Sequence, residues 1–102
     1  MVTKEKKYST GIQIGEILKI IREKKGVKKG FVSNKAGISR DDLRKVEQGV
    51  SNPSLDIFCN ICKAYELEPN KVLSIKDASS TGKEINIENE VLELLWDRNK
   101  KN

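Results

Sequence analysis

The chain is 102 residues long, 34% charged and 36% apolar, which allows one small domain with a modest core and little more. Lys and Arg number 20 against 15 acids, a net charge of +5, and there is no histidine, so the commonest general base and the commonest metal ligand are both missing. With no long apolar run and no signal-peptide pattern, the composition predicts a soluble, mostly helical, cytoplasmic protein with no membrane segment, no cofactor or metal, and no enzyme chemistry.

Charge is unevenly placed along the chain. Residues 1–50 carry 13 basic and 6 acidic side chains, net +7, while residues 51–102 carry 7 and 9, net −2. A positive half is the footprint expected of a nucleic-acid binder, although a lysine-rich solvated surface has the same count. Residues 1–10, MVTKEKKYST, show no periodicity and read as a flexible basic arm whose Lys4, Lys6 and Lys7 either follow a phosphate backbone or are simply solvated. Ile14, Ile17, Leu18 and Ile21 then obey the i, i+3, i+4, i+7 rule, which predicts a first helix over 12–25 ending at Gly26. Lys19, Glu23 and Lys24 occupy its polar face, and Arg22 lies one position beyond the apolar stripe.

From Lys28 to Pro53 the sequence KKGFVSNKAGISRDDLRKVEQGVSNP reads as two short helices joined by a glycine turn. The first, over 28–36, begins with Lys28 and Lys29 and carries Gly30 in its first turn, at a cost of about 1 kcal/mol relative to alanine. Two lysines at a positive helix N-terminus are unfavourable in the free protein, yet the same place attracts a phosphate. The alternative is a frayed turn without function. Ser39 stands where the second helix should begin, with Asp42 three residues on in the capping pattern, and Gly49 stops it. With Arg40 as the first helical residue, Leu43, Val46 and Glu47 share one stripe and Arg40, Asp41, Arg44, Lys45 and Gln48 point away. A helix of this kind can enter a DNA major groove, where arginine binds guanine O6 and N7 bidentately.

The loop over 49–54, GVSNPS, has turn chemistry throughout, and Ser54 is placed to cap a fourth helix over 54–65 that should bury Leu55, Phe58, Cys59, Cys62 and Tyr65. Cys59 and Cys62 form C-x-x-C, but no second ligand pair accompanies them, so they read as small core residues rather than a zinc or redox site. Pro69 opens a fifth helix whose Val72, Leu73 and Ile75 should close the core. KDASSTGK over 76–83 reads as a linker, small and polar. The C-terminal segment recovers helical spacing through Ile87, Val91, Leu94 and Leu95, widened by Leu92 and Trp96.

The run IGEILKIIREKKG, then AGIS, LRKVEQG, NPSL and ELEPNKVL resembles the Cro and phage-repressor type of helix-turn-helix, the xenobiotic-response-element family, from about Ile14 to Ile75. That resemblance implies an all-α fold: a five-helix, lambda-repressor-like DNA-binding domain over 11–76, with the linker at 77–84 and a C-terminal amphipathic helix in 85–102. It also implies a structural pair between Arg22 and Glu47, which would fix the docking of the recognition helix, and a loop whose Ser51 and Asn52 lie against the sugar-phosphate backbone. Relatives usually begin the second helix with Ser or Thr followed by Gln. Lys28 and Lys29 depart from this, which weakens base reading there and favours backbone contact.

The expected function is therefore a sequence-specific transcriptional regulator, repressor or activator with repressor the first reading, that binds double-stranded DNA at a palindromic operator through the helix over 39–48. Arg40, Asp41, Arg44 and Lys45 are the candidate base contacts, and Lys28, Lys29, Ser51 and Asn52 the candidate backbone contacts. Asp41 is the residue that weighs against it, because a groove-face carboxylate is repelled by phosphates unless it accepts from a cytosine amino group. The competing reading is a protein-interaction module, antitoxin-like or regulatory, that keeps the fold and reads little DNA. One domain of this size offers few base contacts, so a homodimer is expected. Val91, Leu94, Leu95 and Trp96 are its candidate contacts, because an isolated amphipathic helix needs a partner surface, either a second copy or its own domain.

Overall fold

Cap and turn chemistry marks several helix ends in the computed structural model, which describes residues 13–79 and 86–101, the side chains of 97–101 excepted. The helices are α1 (Ile14–Lys25), α2 (Lys29–Ala36), α3 (Arg40–Glu47), α4 (Leu55–Ala64), α5 (Pro69–Ser79) and α6 (Ile87–Lys101), with no strand among the described residues. Serine hydroxyls cap two of them: Ser39 Oγ accepts from the Asp42 amide at 3.0 Å, and Ser54 Oγ from the Ile57 amide at 3.2 Å. Between α2 and α3 the chain reverses at Gly37, whose φ of 77° lies in the left-handed region that glycine enters without a Cβ penalty. None of the described helices is long and apolar enough to cross a membrane.

The core is one cluster to which every helix contributes. Ile17, Leu18 and Ile21 of α1, Val32 and Ala36 of α2, and Leu43 and Val46 of α3 meet Phe58, Ile61, Cys62 and Tyr65 from the α4 region, Val72 and Ile75 of α5, and Ile87 and Val91 of α6. α1 is central to this arrangement: it packs on α3, on α5 and on α6, while α2 rests on α3 and α4. Cys62 is fully buried, and burial pushes its thiol up to about 12, so it is an inert apolar residue rather than a thiolate; Cys59 is half-buried, and both are free.

Four expectations need correction. Leu55, the first residue of α4, is 72% exposed, and the buried stripe of the helix begins at Phe58. Leu73 is 40% exposed, since the buried stripe of α5 runs Val72, Ile75, Ser79 and the residue after Val72 falls beside it. The segment expected as linker begins as helix: α5 continues through Ser79, whose buried hydroxyl is satisfied by donating to the Lys76 carbonyl at 2.8 Å. Val91, expected at a dimer contact, is fully buried within its own chain, with Leu94 and Leu95 half-buried on the same core. α6 thus packs on its own domain against α1 and α5, and Lys24 Nζ lies 3.6 Å from Glu88 Oε1 between α1 and α6. The basic arm over 1–10 and the rest of the linker, 80–84, lie outside the described residues.

Candidate nucleic-acid interface

The inner side of α3 is docked by two contacts. At the first, Arg22 meets Glu47 through both terminal oxygens: Nε donates to Oε2 at 2.7 Å and Nη2 to Oε1 at 3.0 Å, with side-chain exposures of 12% and 3%. The Glu47 hydrogen bond is the main reason the guanidinium is held above its ordinary range, against the cost of its burial. At the second, a Cβ on Gly15 would stand 1.8 Å from the Val46 carbonyl oxygen, so the backbones of α1 and α3 approach as only glycine permits. Close by in charge terms, Tyr65 is fully buried; burial first, and then the Glu47 carboxylate, keep its phenol protonated well above the usual range. Its hydroxyl has no hydrogen-bond partner among the described residues.

With that side fixed, the opposite side is left to solvent. Arg40, Asp41, Arg44, Lys45 and Gln48 are all exposed, as the spacing predicts. Arg44 Nε donates to Asp41 Oδ1 at 3.1 Å and its Nη1 to Gln48 Oε1 at 3.1 Å, while Lys45 Nζ lies 3.6 Å from Asp41 Oδ2. The Arg44 hydrogen bond, then its charge, hold the Asp41 carboxyl below the usual carboxylate range. Gln48 is the partner that sequence reading left without a role; its i, i+4 spacing from Arg44 was the available signal.

The N-terminal turns of α2 and α3 are neighbours. Lys28 caps α2 with its backbone, its carbonyl accepting from the Phe31 amide at 3.1 Å, and Lys29 is the first helical residue. Gly30 follows, and a Cβ there would stand 3.6 Å from Arg40 Cδ, so the Arg40 stem crosses α2 one residue past Lys29. This is ordinary van der Waals distance and the position is helical. Gly30→Ala is therefore expected to raise stability by about 0.5–1 kcal/mol, read as a higher urea midpoint; a lower midpoint would mean that Arg40 cannot give way. An exposed pair that the sequence reading passed over lies on the same helix, with Lys35 Nζ 5.6 Å from the centroid of the Phe31 ring.

In the turn after α3, Ser51 and Asn52 are both exposed. The Ser51 N–H is used internally, donating to the Lys45 carbonyl at 3.2 Å beside that of Val50 at 2.9 Å. Its hydroxyl is what remains for a ligand. Gln13, just ahead of α1, comes up against the same turn, its Cδ 3.6 Å from where a Gly49 Cβ would be. The structure thus brings the Arg40 stem beside the first turn of α2, where Lys28 and Lys29 stand, and leaves Arg44 and Lys45 exposed further along α3. Among the described residues no cluster of His, Cys, Asp or Glu is placed to hold a metal ion.

A family profile described as a helix-turn-helix domain matches residues 13–73 of the chain. Among solved structures, the solution structure of the DNA-binding domain of the P22 c2 repressor aligns at a TM-score of 0.61 and 19% identity, covering 78% of this chain and 97% of that one, and is a likeness of fold. No curated protein matches the sequence.

Proposed function

The chain belongs to the helix-turn-helix family of Cro and phage-repressor type, a family of DNA-binding regulators, and on that footing we propose that it is a sequence-specific repressor whose α3 enters the major groove of an operator. The observation that carries this reading is the two-sidedness of α3: Leu43, Val46 and Glu47 are buried, while Arg40, Arg44 and Lys45 are exposed on the other side. In this reading Arg40, Arg44 and Lys45 meet base edges. Lys28, Lys29, Asn52 and the Ser51 hydroxyl meet phosphates and set the register. Two copies on a palindromic site supply the specificity that one short helix lacks. The outward side of α6 supports a second copy as the dimer partner, since Trp96 is 63% exposed and follows Leu92, also exposed, by one turn.

Selection of bound duplexes from random DNA tests the whole reading. The expected result is a palindromic consensus bound with a steep salt dependence; weak binding to every sequence would instead favour the interaction module. Arg44→Ala is expected to cost about 1–3 kcal/mol on the selected site and to relax one position of the consensus. A loss with no relaxed position would assign Arg44 to phosphate.

A further inference from the structure

Three of the five N–H donors of Arg44 are already engaged in the free protein. Nε and Nη2 both donate to Asp41 Oδ1, and Nη1 donates to Gln48 Oε1. Since a guanidinium carries one hydrogen on Nε and two on each terminal nitrogen, one remains on Nη1 and one on Nη2. A fork of two donors from one guanidinium is what guanine O6 and N7 accept. The other Asp41 oxygen lies 3.6 Å from Lys45 Nζ, so a single carboxylate is shared by two of the outward cations of α3.

We propose that Asp41 is a positioning residue for base recognition: it holds the Arg44 guanidinium so that its terminal fork faces outward, and it offsets the positive charge of Arg44 and Lys45 so that random phosphates attract them less. This inference rests on the DNA-binding reading above. The carboxylate acts on two terms at once. For a selected site it lowers the ordering cost of a long side chain, because the rotamer that meets the base is already held by hydrogen bonds. For an arbitrary duplex it removes roughly one cation from the count of phosphate contacts, and so roughly one released counterion from the driving force. Both raise the ratio of selected to random affinity.

The experiment measures binding of the full chain to two fluorescent duplexes, the selected consensus and a random sequence of equal length, over a salt series. Asp41→Asn is expected to tighten random-duplex binding about 5–10-fold near roughly 0.1 M salt and to steepen its log–log salt slope by about 1. Affinity for the consensus should stay level or fall, so the ratio drops by about the same factor. Asp42→Asn is the companion variant: it removes the same charge from the same first helical turn, where Asp42 serves the Ser39 cap through its backbone amide. It should shift both duplexes together and keep the ratio, and the thermal midpoints of both variants separate any helix-dipole effect from binding. Asp41→Asn with the wild-type ratio and slope, or Asp42→Asn losing as much of the ratio as Asp41→Asn, overturns the inference while leaving the functional reading in place. Wild-type protein that prefers no duplex overturns that reading, and this inference with it.

Discussion

Arg22→Ala and Glu47→Ala, each made alone, are expected to lower the unfolding free energy by about 3–5 kcal/mol, a large part of the roughly 5–15 kcal/mol that a domain of this size possesses. The reason is burial. With side-chain exposures of 12% and 3%, the two charges have given up most of their water and regained it from each other through two hydrogen bonds, at 2.7 and 3.0 Å. Deleting one leaves the other buried and uncompensated, so the measured loss is the penalty of the stranded charge rather than the net value of the pair. Arg22→Met with Glu47→Leu should therefore recover most of what either single truncation loses. Urea unfolding of the two truncations, the double truncation and this apolar double variant makes the test. If the two truncations simply add, the residues are not coupled, and the docking of α3 has to be credited to its apolar contacts alone.

Gly15→Ala should be of comparable severity, about 3 kcal/mol or more, although it adds only one methyl group. In an ordinary helical position this change stabilises by about 1 kcal/mol, which is the direction expected at Gly30. At Gly15 the new carbon would stand 1.8 Å from the Val46 carbonyl oxygen and 2.8 Å from its carbon. Both are backbone atoms with no rotamer by which to withdraw, so α1 and α3 have to separate by more than an ångström. Val46 immediately precedes Glu47, and the same displacement stretches the pair with Arg22. The expected observation is a lowered thermal midpoint together with loss of DNA binding out of proportion to the unfolded fraction. A midpoint within a degree or two of the wild type would show that the two backbones can part cheaply.

Several helix starts and stops were legible because they rest on local chemistry: Ser39, Ser54 and Pro69 at the beginnings, and Gly26, Gly37 and Gly49 at or just past the ends. Legible too were the outward residues of α3, since the 3.6-residue period alone divides Arg44 from Leu43. What failed were questions of extent. Periodicity puts Leu55 on the stripe of α4 but does not tell whether anything covers it at the helix start, and it cannot show that a buried Ser79 is satisfied by turning its hydroxyl back on Lys76. Nor could it choose between two partners for α6, because an apolar stripe looks the same whether it meets its own α1 or another chain; Ile87 and Val91 meet their own core. The Arg22 and Glu47 pairing spans 25 positions and was reached only through family resemblance. The approach of Gly15 to Val46 left no trace in composition or spacing.

The hydrogen bonds that join positions 41, 44 and 48, with Lys45 close by, also govern how this helix can change over generations. Residues that share a network do not contribute independently, and the sign of one substitution depends on what its neighbours are. Losing Arg44 first would leave the Asp41 carboxylate facing phosphates with only Lys45 near it, a penalty on every sequence in addition to the lost base contact. Losing Asp41 first instead relaxes discrimination while binding is retained. The two orders lead through unequal intermediates. A lineage that acquires a new operator preference is therefore expected to change position 41 before position 44, passing through a promiscuous ancestor rather than a silent one.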